Sequence, residues 1–255
     1  MKKYFPLIIF ILLATITAWT SPSEKKPLIV FLISEDIDNY EAHKTIPLFA
    51  KQLEQECNYS TSVLLGTGDR TAFQYPDLQK LKKADAVIVF TRRVALRPKQ
   101  MDLLKNYIKK GKPIIGIRTA NHAFTLREEA SLGYEDWKEF VADVLGCENR
   151  GYGPVGPGID VKINTSDTSN GILKGLPDTW RSDANLYLVA PLLDPGIKIL
   201  IQGTSDGKTE PIAWTRNTSF GGKVFYTSLG HPSDFENPNF IKMLQNAIGW
   251  AIDKS

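Results

Sequence analysis

Two cysteines and three histidines are all the thiols and imidazoles in 255 residues. No Cys-x-x-Cys pair and no metal-finger spacing occurs, so dithiol redox chemistry and small structural zinc sites have no support. Cys57 and Cys147 leave two alternatives open, one disulfide or two free buried thiols, because sequence does not place their Cα atoms within bridging range. Positive charge is nearly balanced. The formal net charge is +3, and Lys2 and Lys3 belong to the N-terminal segment, so 3 − 2 leaves +1 for the rest. Lys80, Lys82 and Lys83, and Lys109, Lys110 and Lys112, form short clusters at expected helix ends, where cations suit the helix dipole. With no basic stripe, nucleic acid is not an expected partner. Repeats and low-complexity tracts are absent as well.

Long apolar runs are almost absent too. The main exception, Phe5–Ala14, follows Lys2 and Lys3 and precedes the small-and-polar exit TITAWT towards Ser21. That pattern predicts a secretory signal peptide over 1–20, too short to span a bilayer comfortably; an uncleaved anchor is the alternative. No cysteine follows closely enough for lipid attachment. The expectation is an exported protein, periplasmic or extracellular and free of the membrane once the signal is removed. A polar tether follows over 21–26, then one domain over 27–255.

Within that domain the first half alternates buried strands with helices. Pro27–Ser34, Tyr59–Leu65, Ala84–Phe90 and the run from Pro113 to Ile117 read as strands. Helices are expected up to Glu56, over Asp77–Lys83 and over Arg97–Lys110, with Asp69–Pro76 a loop. Strands alternating with helices predict a right-handed parallel α/β sheet. The second half predicts a helix over Trp137–Leu145 and a glycine- and proline-rich loop over Gly146–Gly158. Strands follow at Ile159–Ile163, Leu186–Leu192, Ile197–Gly203, Ile212–Thr215 and Lys223–Ser228, and a closing helix at Pro238–Ile252.

The chain is organised around Pro113–Phe124, PIIGIRTANHAF, where a buried strand stops at Arg118 and a helix is expected to begin near His122. Strand carboxyl ends in open α/β folds are where ligands tend to bind. His43, His122 and His231 each follow such a strand end, so they are expected to share one edge as acid, base or ligand. Arg118 ends an apolar strand, where an unpaired charge is costly. It either pairs with a carboxylate such as Glu35 or Asp36, or grips an anionic or hydroxyl-rich ligand. Thr119, Asn121, Tyr40 and His43 are candidate substrate contacts; Thr119 and Asn121 equally suit a helix N-cap. Glu35 is a candidate acid or base beside His122 and His231, and equally a helix cap. Trp137, Tyr152, Trp180, Tyr187 and Trp214 read mostly as core, although an aromatic in the 146–158 loop suits stacking on a sugar ring.

Several stretches resemble the ThuA-like (trehalose-utilisation) family, a branch of the class I glutamine amidotransferase-like superfamily. They are PIIGIRTANHAF (113–124), GILKGLP (171–177), PIAWTRN (211–217) and KVFYTSLGHPSDFENPNFIKMLQNAIGWA (223–251). The resemblance implies a flavodoxin-like parallel sheet flanked by helices, with additional β strands in the second half, and a nucleophile elbow after the central strand. The amidotransferase elbow Gly-Ile-Cys-x-Gly-x-Gln corresponds here to Gly116-Ile117-Arg118-Thr119-Ala120-Asn121-His122. Arg118 thus replaces the cysteine and rules out a thioester route to glutamine hydrolysis. The amidotransferase His-Pro-Glu is echoed by His231-Pro232-Ser233. The family's Asp-Glu-Leu-Tyr reads Ala184-Asn185-Leu186-Tyr187, without its acids, and its glycine-rich histidine loop reads Cys147-Glu148-Asn149-Arg150-Gly151. What the resemblance implies is carbohydrate catabolism, with a disaccharide or 3-keto sugar as small-molecule partner. His122 and His231 would shuttle protons, Glu35 would assist, and Arg118 and Asn121 would contact hydroxyls. No cofactor is expected; a divalent metal on His43, His122 and His231 is an alternative, and a sugar-binding module without catalysis is the rival to an enzyme.

Overall fold

The computed structural model describes Met1 and residues 25–164 and 171–253. The expected signal peptide, Met1 aside, lies outside the described residues. Among those described, no helix is long and apolar enough to cross a membrane.

The first strand, β1 (Leu28–Ser34), is apolar as far as Ile33 and almost entirely buried, as a strand covered on both faces must be. It leads through α1 (Ala42–Glu56) to β2 (Ser60–Gly66), and a short 3-10 turn at Leu78–Lys82 delivers the chain to β3 (Ala86–Phe90). Then α2 (Pro98–Lys109), started by Pro98 in its first turn, leads to β4 (Ile114–Ile117). After a long excursion come β5 (Ile159–Ile163), β6 (Thr179–Ser182), β7 (Lys198–Ser205), β8 (Lys208–Asn217), β9 (Lys223–Thr227) and α3 (Pro238–Ile252).

Among the described residues, nine strands join one sheet in the order β2-β1-β3-β4-β9-β8-β7-β5-β6. The pairs from β2 to β9 are parallel, and those from β9 to β6 are antiparallel. Alternation along β1 sorts the core. Ile29, Phe31 and Ile33 pack with α1 and α3 on one face, while Val30 and Leu32 pack with α2 on the other. The chain leaves β1 for β2 on one side and returns to β3 on the other, so a crevice opens beyond the carboxyl ends of β1 and β3.

That crevice is tied by Asn39, wholly buried just after β1. Its Nδ2 donates to Ser34 O at 3.0 Å, Ser34 Oγ at 3.2 Å and Phe90 O at 2.9 Å, and its Oδ1 accepts from Thr119 Oγ1 at 2.6 Å. One amide therefore joins the exits of β1, β3 and β4. A second constraint is Gly230, at φ 126°, where a Cβ would stand 2.7 Å from Ile117 Cγ2 and 3.4 Å from Arg118 Cβ. Only glycine lets the exit of β9 run against the exit of β4.

Four expectations are corrected. No α-helix begins near His122: Arg118–His122 is itself one 3-10 turn that ends there. The helix expected over Trp137–Leu145 shrinks to a wide π turn at Val141–Leu145, and that over Asp77–Lys83 is 3-10. Leu186–Leu192 is not a strand. It contains Pro191, makes one isolated bridge, Tyr187–Tyr152, to the glycine-rich loop and not to a strand of the sheet, and has the N–H groups of Val189 and Ala190 bound by the Glu210 carboxylate. The strand β6 was missed because it is a short polar edge, TWRS. Cys57 and Cys147 are both free thiols.

Replacing Asn39 by alanine removes the donor shared by two strand-end carbonyls and the acceptor of Thr119. The expected cost is about 2–4 kcal/mol, because buried groups left unpaired cost about 1–3 kcal/mol each. A urea midpoint for Asn39→Ala within 0.2 M of the parent would refute that role.

Candidate functional site

At the end of β4 the chain turns so sharply that Arg118 takes φ 45°, in the left-handed region, which costs a non-glycine residue roughly 1–2 kcal/mol. The strained strand-to-turn junction keeps the form of a nucleophile elbow, with a guanidinium where a nucleophile would stand. That side chain is 0% exposed. It lies face-on between two phenols, its Cζ 3.9 Å from the Tyr40 ring centre and 4.6 Å from that of Tyr187. Its Nη1 donates to Ser228 O at 2.8 Å and its Nη2 to Asn185 Oδ1. The Tyr226 hydroxyl donates to its carbonyl at 2.8 Å. Of the two roles expected for Arg118, neither holds in its simple form: among the described residues no carboxylate pairs with it, and it is too enclosed to reach solvent. It acts from behind the site, as a buried cation shared by Tyr40 and Tyr187.

Those two tyrosines face a cleft of about 270 Å³ whose wall also includes Asp38, Arg92, Arg93, His122, Arg127, Asn149, Tyr152 and Asn185. The loops after β1, β3 and β4 supply most of it, as the crevice between β1 and β3 requires. An adjoining recess of about 550 Å³ shares Arg93, His122, Arg127 and Asn149 with the cleft and adds Asn121, Thr125, Lys138 and Cys147. A larger groove of about 640 Å³, lined by Trp137, Leu193, Phe220 and the Arg216–Asp194 pair among others, contains no histidine.

His122 lies where cleft and recess meet, 7% exposed. Its Nδ1 is 2.8 Å from Asn149 Nδ2 and closer still to Asn121 Oδ1. An amide oxygen only accepts, so the Asn121 contact needs the proton on Nδ1, whereas the Asn149 amide N–H only donates and needs the Nδ1 lone pair; Asn149 Nδ2 also reaches Asn121 Oδ1 at 3.4 Å. Asn149 is itself oriented by the Gly151 N–H at 3.0 Å. The first tautomer leaves the Nε2 lone pair free, and the second puts the proton on Nε2. Burial and then the guanidinium groups of Arg93, Arg92, Arg127 and Arg118 hold the imidazole pKa well below 6.5, so the ring is neutral near pH 7.

The other expected residues separate. His231 caps the 3-10 turn Pro232–Glu236, with Nδ1 2.8 Å from Ser233 Oγ and 3.3 Å from the Ser233 N–H. It packs edge-on against Tyr40 at 6.4 Å, away from the cleft lining. His43 lies in α1 with its Nδ1 buried and unpartnered, also away from the lining. The three histidines therefore do not converge, and among the described residues no group of three His, Cys, Asp or Glu side chains is placed to hold a metal. Glu35 is exposed and outside the cleft lining; the carboxylate that lines it is Asp38, 3.1 Å from Arg92. Thr119 is committed to Asn39. Tyr40 lines the cleft, Asn121 lines the recess, and Tyr152 brings an aromatic from the glycine-rich loop to the cleft, as a sugar-stacking residue would require.

Sequence reasoning missed Arg92, Arg93, Arg127 and Asn149. For the first two the signal was present: Thr91-Arg92-Arg93 follows a buried strand just as Arg118 does. Tyr187, read as core, is 4% exposed yet forms part of the wall. Cys147 reaches the recess, but burial raises its thiol to about 12, so it is not a thiolate near neutrality.

A depressed His122 pKa has a defined stability consequence. Below pH 6.5 the unfolded chain binds a proton that the folded ring refuses. Stability is therefore full above about 6.5 and falls as pH drops from there towards the folded pKa, by at most about 1.4 kcal/mol per pH unit. Urea unfolding of the parent and His122→Gln between pH 5 and 7 is expected to show a shallower decline in the variant; parallel curves would contradict the assignment.

A family model described as ThuA, trehalose utilisation, matches residues 30–251. A search of curated protein sequences found no match. A protein described as ThuA-like from Bacteroides uniformis is 17% identical with a TM-score of 0.67, covering 93% of this chain and 96% of its own. Another described as ThuA-like, from Parabacteroides merdae, is 16% identical with a TM-score of 0.63, covering 89% of this chain and 90% of its own. A cytoplasmic protein from Salmonella typhimurium is 12% identical with a TM-score of 0.55, covering 88% and 98%. At these identities the likeness is one of fold.

Proposed function

The chain belongs to the ThuA, trehalose-utilisation, family, and on that footing we propose that it is an exported protein of carbohydrate catabolism. It acts on a disaccharide or keto-sugar in the cleft beyond β1, β3 and β4. The proposal of export rests on the signal-like pattern of residues 1–20 alone. The parallel strands, in the order β2-β1-β3-β4-β9, support reading that half as flavodoxin-like, with the proposed site at the switch between β1 and β3.

The observation that carries the reading is His122: a neutral imidazole between Asn121 and Asn149 in a cleft lined by three tyrosines, taken here in the tautomer that donates Nδ1–H to Asn121 and leaves Nε2 free. A carbonyl in the sugar acidifies the neighbouring C–H, and Nε2 takes that proton. The electrons pass to the carbonyl oxygen as an enolate. The fixed charges of Arg92, Arg93, Arg127 and the enclosed Arg118 stabilise that negative charge without reorganising. Return of the proton to the former carbonyl carbon, while the hydroxyl on the deprotonated carbon gives its proton to the enolate oxygen and becomes the new carbonyl, gives an isomer. Departure of a β-substituent with its bonding electrons, as the enolate re-forms the carbonyl, gives an elimination product. The Tyr40 and Tyr187 hydroxyls, 3.4 Å apart, are the neighbouring proton donors; burial raises the Tyr187 pKa, so it stays a phenol. His231 and Glu35, first expected to share this work, act at most from outside the cleft. Glutamine hydrolysis is not proposed, since Arg118 occupies the cysteine position and Cys147 is a buried thiol.

The departure of His231 and Glu35 favours one rival, a sugar-binding module without turnover. Product analysis with 3-keto disaccharides separates the two. For an enzyme, His122→Gln is expected to lower turnover by about 10²–10⁴-fold with affinity retained, and His231→Ala to lower it far less. Turnover unchanged in His122→Gln would overturn the mechanism; affinity without any product from the parent chain would establish the module.

A further inference from the structure

The cleft and recess carry more positive charge than their carboxylates cancel. Arg92 is met by Asp36 and Asp38, and Glu148 is taken by Arg150 at 2.8 Å. Arg93 and Arg127 pair with no carboxylate among the described residues, although each lines both spaces. Arg93 is held by a single neutral contact, its Nη1 donating to Thr125 O at 3.0 Å. Burial first, then the neighbouring Arg127 and Arg92, lower its pKa to about 10, and the nearby Glu128 carboxylate offsets them only in part. Behind them, Arg118 is answered by an amide oxygen of Asn185 where a carboxylate would have cancelled its charge.

Unused donors stand beside these cations. Asn121 is 0% exposed and lines the recess, and among the described residues its Nδ2 has no partner. Thr125 Oγ1, buried in the same wall, has none either. Buried polar atoms in folded proteins are almost always paired, and here two such groups lie in the wall that holds Arg93, Arg127 and Lys138. What completes that set is an anion with several acceptor oxygens.

Resting on the carbohydrate reading above, we propose that the ligand is an acidic sugar. Its carboxylate or phosphate is held in the recess by Arg93 and Arg127, with Asn121 Nδ2 and Thr125 Oγ1 donating to its oxygens. The uncharged ring lies in the cleft against Tyr40, Tyr152 and Tyr187. His122, at the junction, then faces the carbons between ring and anion. The sugar's charge offsets the cations that would otherwise repel one another across the site.

The test is calorimetric titration of the full chain with a neutral disaccharide, its 6-phosphate, its uronic-acid counterpart and inorganic phosphate alone. One of the acidic sugars is expected to bind about tenfold or more tightly than the neutral parent, and which of them does so identifies the anionic group. That preference should shrink as salt rises and should disappear in Arg127→Gln, an exposed position where loss of folding is not expected. Arg93→Gln gives a second, independent reading. Equal affinity for neutral and acidic sugars, with the neutral one bound, would overturn the proposal and leave the carbohydrate reading intact. A preference that survives both substitutions would overturn it too, as would phosphate binding no weaker than that of the sugar phosphate, which marks an adventitious ion only. Failure of every sugar to bind would remove the carbohydrate reading and this proposal together.

Discussion

A guanidinium enclosed between two phenol rings is the interaction on which this site depends. Withdrawing Arg118 from water costs several kcal/mol. The contributions that offset it are of the same order: about 2 kcal/mol for a desolvated cation–π contact and about 1.5–3 kcal/mol for each hydrogen bond from a charged donor. Those partners, Tyr40, Tyr187, Asn185 and Ser228, come from three distant parts of the chain. One buried charge thus fixes the loop after β1, the segment after β6 and the exit of β9 against the turn after β4. Loss of any one partner would leave the others facing an unsatisfied cation.

Around that centre the sheet supplies position rather than chemistry. The parallel strands end together, and Asn39 ties the exits of β1, β3 and β4, so the residues that follow those strands share one crevice. The antiparallel strands β8, β7, β5 and β6 extend the sheet from β9, and the segment between β6 and β7 returns Asn185 and Tyr187 to the centre. A chain that had spent its elbow on a cysteine would carry a nucleophile there. This one carries a fixed positive charge, suited to stabilising an anion that forms in the cleft or arrives with the ligand.

Much of the fold was legible because strongly periodic segments leave little choice. Residues 28–33 and Ala86–Phe90 are apolar throughout and had to be covered on both faces. Ile159–Ile163 alternates and had to be covered on one. The segment at 186–192 was misread because Leu, Tyr and Val suit a strand equally well, and its actual anchor, Tyr187 against Arg118, is a long-range contact that no local pattern encodes. The site divided along the same line. That Arg118, Asn121 and His122 cluster follows from their adjacency on one turn. That His231 turns away, engaged by Ser233, and that Asn149 orients His122 depend on loops whose paths only the folded chain determines.

The central claim is that the buried charge of Arg118 organises the ligand site without touching the ligand. Arg118→Met, which keeps much of the length and volume but not the charge, tests it when affinity for a 3-keto disaccharide is measured alongside cooperative urea unfolding. The account predicts unfolding that remains cooperative with affinity lowered at least about tenfold, near 1.4 kcal/mol. Unchanged affinity in a folded variant would contradict it and return Arg118 to a role in packing alone.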